Sequence, residues 1–368
     1  MGAQDTDVIA GIDIAAVDVA LLVIFVLVLV LPFRFKRIEC NLEIFLFVMG
    51  AAAVSITGRW GVELILTAVK EPVTKGIVPA VLLAGLLFYY ARRPFEKMMR
   101  RFLKLVPLKP AMFLIIALLG LASSIITAII AAIFLVEIAN MMPLGRRDKV
   151  HMVIIACFAI GLGAVLTPLG EPLSTIAVVK LGGAPYHAGF WYLMHHLGVL
   201  VLAGVLGVAI FGAFYVCKKG RVHTEDVGLA EGGIKEVFVR AGKVYLFVAA
   251  LFLLGSAMEI IIYKYLTHVP AVALFWFNMV SAVLDNATLT AAEIAPTLTQ
   301  AQINAALYGL LISGGMLIPG NIPNIISAGK LHIKSTEWAR LGVMMGLVIN
   351  LIYFVVIFIL KFQPVLPL

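Results

Sequence analysis

Ser281-Ala-Val-Leu-Asp285-Asn286-Ala-Thr288-Leu-Thr-Ala-Ala-Glu293 places a carboxylate, an amide and hydroxyls in the middle of a long apolar run. A charge held in a lipid-like setting is costly, and its usual reason is functional. Downstream, Ser313-Gly314-Gly315-Met-Leu-Ile-Pro319-Gly320-Asn321-Ile-Pro323-Asn324 interrupts a second hydrophobic segment, with two prolines four apart and Gly and Asn between them. Both patterns have echoes earlier in the chain, from Pro110 to Thr127 and from Gly161 to Pro172. The chain reads as two copies of one ion-binding device.

Composition sets the solvent. Of 368 residues, 62% are hydrophobic and only 13% charged, and the mean hydropathy is +1.08. Soluble domains are nearer half apolar and a quarter charged, so the chain is expected to be an all-α polytopic membrane protein with about ten segments of roughly 20 residues. The net charge of +8 sits in short loops, where it orients helices in a bilayer rather than binding nucleic acid. Cys40, Cys157 and Cys217 are scattered singly, without metal spacing. The acidic N-terminus lacks the basic start of a signal peptide. Its Met1-Gly2-Ala-Gln-Asp-Thr6 fits a myristoylation pattern, which the orientation derived below makes irrelevant.

Apolar runs at 17–33, 42–57 and 77–90 form the first spans, with 61–71 as an interfacial helix. Runs at 111–140, 150–181 (interrupted at Thr167-Pro168-Leu-Gly170-Glu171-Pro172) and 190–217 follow. A polar linker then leads to 243–263, 270–297, 301–330 (broken at 319–323) and 337–360. Charge decides the topology. If 111–140 and 270–297 each enter and leave the membrane on one side, the loops at 34–37, 92–109, 145–149, 218–243 and 330–340 all face the cytoplasm. Those loops hold 22 of the 28 lysines and arginines, as the positive-inside rule requires. Both termini then lie outside the cytoplasm, in the inner (plasma) membrane of a cell.

Two inverted-topology repeats follow, each with a re-entrant hairpin and a discontinuous transmembrane helix. The expected organisation is 1–76 as scaffold, 77–217 as the first repeat, 218–242 as a cytoplasmic linker and 243–368 as the second repeat. Pro110-Ala111 matches Pro270-Ala271, Ser124-Ile-Ile-Thr127 matches Asp285-Asn-Ala-Thr288, and Lys180-Leu181 matches Lys330-Leu331. Internal symmetry with proline-interrupted segments in matching places marks secondary transporters, whose sites lie between the repeats.

At such a site, freed carbonyls coordinate cations and half-helix N-termini attract anions. Side chains tip the balance. Asp285 and Glu171 are the two carboxylates at midplane depth. Asn286, Thr288, Asn321, Asn324, Thr127, Thr167, Ser123 and Ser124 add neutral oxygens. Oxygen-only ligation suits a hard cation, with Asp285 and Asn286 as the expected Na+ ligands. A poorly solvated carboxylate favours its neutral form, so it exchanges a proton for a metal ion. Asp285 can also cap the helix that follows, and Glu171 the half-helix after Pro172; capping does not exclude ligation. Glu137, Glu293, the His195-His196 pair and Glu259 are weaker candidates nearer the interface, and Asn140 and Asn350 are typical helix-packing groups.

Val280-Ser-Ala-Val-Leu-Asp285-Asn286-Ala-Thr-Leu-Thr-Ala-Ala resembles the hairpin motif of the ion transporter superfamily, which includes D-type sodium/proton antiporters, arsenite permeases, and citrate and dicarboxylate symporters. Thr167-Pro-Leu-Gly-Glu-Pro172 and Gly315-Met-Leu-Ile-Pro-Gly-Asn-Ile-Pro-Asn324 look like its broken-helix loops. The likeness covers about two-thirds of the chain, which is short for the group and is similar to its small prokaryotic members. The dicarboxylate branch carries Ser-Asn-Thr at both tips; here Asp285-Asn286 stands at one, which resembles the antiporter branch. The resemblance implies a homodimeric, elevator-like sodium/proton antiporter that needs no cofactor. Its alternative is a sodium- or proton-coupled transporter of a small anion such as a dicarboxylate or oxyanion. An intramembrane aspartyl protease would want Gly-x-Gly-Asp, which neither Gly161-Leu-Gly163 nor the surroundings of Asp285 supply, so no enzyme is expected. A channel would not need paired broken helices. There is no Gly-x-x-x-x-Gly-Lys stretch for a nucleotide.

Overall fold

The computed structural model describes residues 14–39, 41–74, 105–217, 234–266, 269–283 and 286–367, with scattered helical residues between 78 and 102. Every regular element among the described residues is helical. The chain opens with α1 (Ile14–Arg34), α2 (Lys36–Glu39), α3 (Leu42–Thr57) and α4 (Val62–Thr74). A first series follows: α5 (Leu108–Ile126), α6 (Ala128–Met141), α7 (Arg146–Ala164), α8 (Pro172–Lys180) and α9 (Tyr192–Cys217). After α10 (Ile234–Leu266) comes a second: α11 (Ala271–Phe277) running into a 3-10 turn at Asn278–Ala282, α12 (Asn286–Glu293), α13 (Gln300–Gly314), α14 (Ile322–Leu331) and α15 (Ser335–Phe354). Four described helices are long and apolar enough to cross a membrane, at Leu108–Ile126, Tyr192–Val216, Val237–Met258 and Ser335–Ile359. That is the pattern of a multi-pass membrane protein.

The two series match in order and in packing. Helix α5 packs on α7 as α11 does on α13; α6 packs on α7 as α12 does on α13; α7 packs on α9 as α13 does on α15. Helices also cross between the series reciprocally, α6 against α14 and α12 against α8. Helices α7 and α13 are buried on every side through Met152–Ala164 and Ile303–Gly314, as expected of apolar helices at the centre of an assembly. Their neighbours α9 and α15 turn Leu206, Ile210 and Phe214, and Leu347, Val348 and Leu351, outward.

Small residues let the central helices approach. A Cβ on Gly163 would lie 1.8 Å from Gly120 O of α5, and one on Gly309 would lie 2.5 Å from Phe275 O of α11. Away from this centre, α3 and α10 run in the same direction: Glu43 pairs with Lys243 at 2.8 Å, Gly50 abuts Ala250 and Leu253, and Arg59 donates to Ser256 O.

Polar contacts sort the loops into two ends. At one, Arg146 donates to Leu331 O and His332 O and sits 3.5 Å from Glu337, while Lys330 meets Glu137 and His151 stacks near Tyr215. At the other, Tyr186 donates to Leu298 O, Tyr192 to Gln300, Gln302 to Val269 O and the Leu366 N–H to His195 O. Both ends of the 108–141 segment reach the first end, through Lys109 over the Phe214 ring and Glu137 on Lys330. Both ends of the 270–298 segment reach the second.

Several boundaries differ from expectation; α7, for one, starts at Arg146 rather than 150. Helix α10 starts at Ile234, inside the stretch expected as linker to 242, because 234–241 contain helix formers and no breaker. The first segment starts at Leu108 behind Pro107, so Pro107 rather than Pro110 occupies the place of Pro270; Pro110 falls in the first turn, where proline is tolerated. The second segment leaves its helix at Glu293 rather than 297, since Pro296 disfavours helical backbone before it.

Gly163→Ala is expected to lower stability by about 1–3 kcal/mol through overpacking against backbone. Gly207→Ala, whose Cβ would meet nothing within 4 Å, should leave the melting temperature of the purified protein unchanged.

Candidate functional site

Each series carries a turn in its doubled segment and a break in its central helix, and the two lie together. In the first series the turn is at Thr127, a β-branched residue with φ 76°, a conformation that costs on the order of 1–3 kcal/mol and persists where surroundings over-determine it. They do so here. The Ala128 N–H donates to Gly170 O at 2.8 Å, and Thr127 Oγ1 accepts from Ile130 N–H at 3.3 Å. Thr167 donates its hydroxyl to Ser124 O and accepts from Leu169 N–H. The single Ser123 hydroxyl proton is shared between Gly120 O at 2.6 Å and Ile160 O at 3.0 Å, and Ser124 Oγ donates to Leu121 O at 2.8 Å. The hydroxyl protons of Ser123, Ser124 and Thr167 are thus committed to carbonyls, leaving oxygen lone pairs as their only ligating capacity.

The second series builds its break from amides and glycines. Asn324 Nδ2 donates to Gly314 O at 2.8 Å and to Leu317 O at 2.9 Å, tying the start of α14 to the end of α13. Ser281 Oγ donates to Leu310 O at 3.0 Å, the counterpart of Ser123 on Ile160. Gly320 is wedged so tightly that a Cβ would meet Gly314 O at 2.5 Å, Ser281 O at 2.8 Å and Ala282 O at 2.9 Å. Asn286 stands beside it: a Cβ on Gly314 would lie 3.5 Å from Asn286 Nδ2. Asn286 Nδ2 and Asn324 Oδ1 are buried without hydrogen-bond partners among the described residues.

The two breaks meet through α7. Gly315 presses on the Phe158 ring, and a Cβ on Gly161 would lie 3.0 Å from Asn321 Nδ2. Cys157 Sγ sits 3.5 Å from Ser327 Oγ on α14. Asn321 therefore reaches the helix that leads into the other break, where Glu171 is buried and its N–H and C=O engage Ser174 Oγ. The structure brings together Asn286, Asn321 and Asn324, and separately Ser123, Ser124, Thr127, Thr167 and Glu171, with α7 between. Asp285 lies outside the described residues, as does the side chain of Thr288. Among the described residues no three His, Cys, Asp or Glu side chains form a metal-holding group; what the site offers is amide, hydroxyl and main-chain oxygen, with the carboxylate of Glu171 at the first break.

Two residues given little weight by sequence converge in the second segment. Asn278 donates to Glu293 at 2.7 Å, and both are buried. Glu293 looked like an interface residue because it ends an apolar run; its burial comes from α8, α10 and α13 closing over α12. Asn350 behaves as a packing group, donating to Ser313 Oγ. His195 and His196 meet edge to face at 4.8 Å, beside Tyr192.

The family described as "protein of unknown function (DUF1646)" matches residues 18–360, and the chain belongs to that family. No curated protein matches it.

Asn324→Leu is expected to cost about 1–3 kcal/mol for each of the two buried carbonyls left without a donor, read as a fall in melting temperature in lipid nanodiscs. An unchanged melting temperature would mean that other contacts hold the break.

Proposed function

We propose that this member of the family is a secondary active transporter, a sodium/proton antiporter with alternating, elevator-like access. The observation that carries this reading is the meeting of two interrupted helices in the core, one from each series, with buried amides at the join. Non-helical backbone inside a membrane is tolerated where protein or an aqueous cavity satisfies it, and secondary transporters build ion sites from such breaks. The opposite ends reached by the 108–141 and 270–298 segments support re-entrant hairpins entering from opposite faces, hence inverted repeats. The clustering of Arg146, Arg147, Lys149 and Lys330–Arg340 at one end supports a cytoplasmic assignment for that end.

In this mechanism Asp285 supplies the charge, and Asn286, Thr288, Asn321 and Asn324 supply neutral ligands; Asn324 Oδ1 is an acceptor awaiting a donor or cation. A desolvated carboxylate binds a proton or a cation, and competition between them gives exchange. Helices α1, α3 and α10 form the fixed scaffold and the contact of a homodimer, while 111–181 and 270–330 move against them. Asn286 Nδ2, a buried donor without an acceptor, favours a second reading: coupled transport of a small anion at the N-terminal ends of α12 and α14.

In proteoliposomes, Asp285→Asn should abolish sodium-driven proton flux while the protein stays folded; Asn321→Ala and Thr288→Ala should weaken sodium affinity by severalfold. A variant at Asp285 with unchanged exchange would move the anion reading ahead. Cysteines at 147 and 297, both exposed, should label from the inside and the outside respectively in a background without native cysteines. Labelling of both from one side would sink the inverted topology.

A further inference from the structure

Asn278 opens the 3-10 turn on one arm of the second doubled segment, and Glu293 closes α12 on the other. Asn278 Nδ2 donates to Glu293 Oε2 at 2.7 Å and to Ala306 O at 3.2 Å. Residues fifteen apart meet, so the chain turns back between them. Glu293 is 5% exposed and Asn278 0%. Two atoms of the pair, Glu293 Oε1 and Asn278 Oδ1, are buried and have no hydrogen-bond partner among the described residues. Both are acceptors.

The first series treats its glutamate differently. Glu137, in the arm after the turn at Thr127, meets Lys330 Nζ at 2.9 Å across the α6–α14 contact, so a lysine balances its charge. Glu293 forms no ion pair with the described residues. On the elements packed against α12, the described titratable side chains are Lys180 on α8, Tyr308 on α13, and Lys235, Lys243 and Tyr245 on α10; the 3-10 turn has none. Of these, Tyr308 donates to Leu197 O, Lys243 pairs with Glu43 and Tyr245 donates to Val69 O. The side chains of Glu236, Arg240, Glu259, Tyr263, Lys264 and Tyr265 on α10 lie outside the described residues.

Among the described residues a bare carboxylate here is uncompensated charge with one amide donor, an arrangement that buried groups avoid. One proton on Oε1 removes the charge and supplies the donor that both orphaned oxygens lack. We propose that Glu293 and Asn278 form a second proton-binding site, additional to Asp285 and carried on the moving hairpin. The carboxylate takes one proton at Oε1 to become the neutral acid, and returns it to water when the contact of α12 with α8, α10 and α13 opens. The neighbouring amide positions the acid and holds the two arms together in either state.

The inference rests on the antiport reading for its role in transport, but the bound proton is testable without it. Infrared titration of the wild type in lipid should show a protonated-carboxyl band at pH 7 that is missing from Glu293→Gln, whose amide keeps the bond to Asn278. A band identical in both proteins, or a sodium-dependent carboxylate in its place, overturns the proposal. If Glu293→Gln does not fold, Asn278→Ala must shift the band, and an unshifted band overturns it equally. In proteoliposomes Glu293→Gln should retain sodium-dependent proton flux but move one proton fewer per sodium, read as a changed response to an imposed potassium diffusion potential. An unchanged response sinks the transport role of Glu293. No sodium-dependent proton flux in the wild type would sink the antiport reading alone, leaving the infrared result to stand.

Discussion

Backbone that leaves a helix inside an apolar interior must find its hydrogen bonds in the protein itself. Nearly everything at the centre of this molecule answers that demand. At the first break the main-chain groups are met by a threonine hydroxyl and by the N–H that begins α6. At the second they are met by the amide of Asn324, which serves two carbonyls. The glycines complete the arrangement, because only backbone without side chains can come close enough for one break to rest on one turn. A polar residue placed there for binding thus also carries structural duty, and the two roles share the same atoms.

That sharing is uneven between the series. The first answers its demands with hydroxyls whose protons are already given to carbonyls, so it is the more closed of the two. The second uses asparagines, whose four hydrogen-bonding positions exceed what the break requires. The surplus is an acceptor on Asn324 and a donor on Asn286 that no described residue meets, with Asn321 beside Gly161 of α7. The two series thus meet the same backbone demand with different side chains, hydroxyls in one and amides in the other.

Much of this was legible in the sequence because membrane segments obey few rules. Long apolar runs marked the helices, and α3 spans 42–57 as its hydrophobic run does. The Pro- and Gly-rich stretches marked the two breaks, which begin a little before them, the helices stopping at Ala164 and Gly314 and resuming at Pro172 and Ile322. Helix ends in polar context were harder: the residues before Gly242 are charged yet good helix formers, so α10 extends beyond its apolar part. The site was legible as a set of residue types rather than as an arrangement. Nothing local to Glu293 foretells Asn278, because the pairing depends on where the chain turns, and nothing near Gly161 foretells Asn321, 160 residues on. Hydropathy reports depth in the bilayer; it is silent about which neighbour fills that depth.

The reciprocal crossing of α6 with α14 and of α8 with α12 also bears on how the molecule is made. Helices α8 and α14 have 9 and 10 residues, ~14 Å and ~15 Å at the α-helical rise, too short to cross a bilayer alone. Glu137 waits for Lys330, 193 positions later, and α8 waits for α12. Throughout synthesis the first half therefore sits in the membrane with an open seam and an unpaired acid. Its own helices cannot close that seam. The seam is completed only once α14 has been made, so a chain cut before Ile322 would lack the partner of α6 and of Glu137.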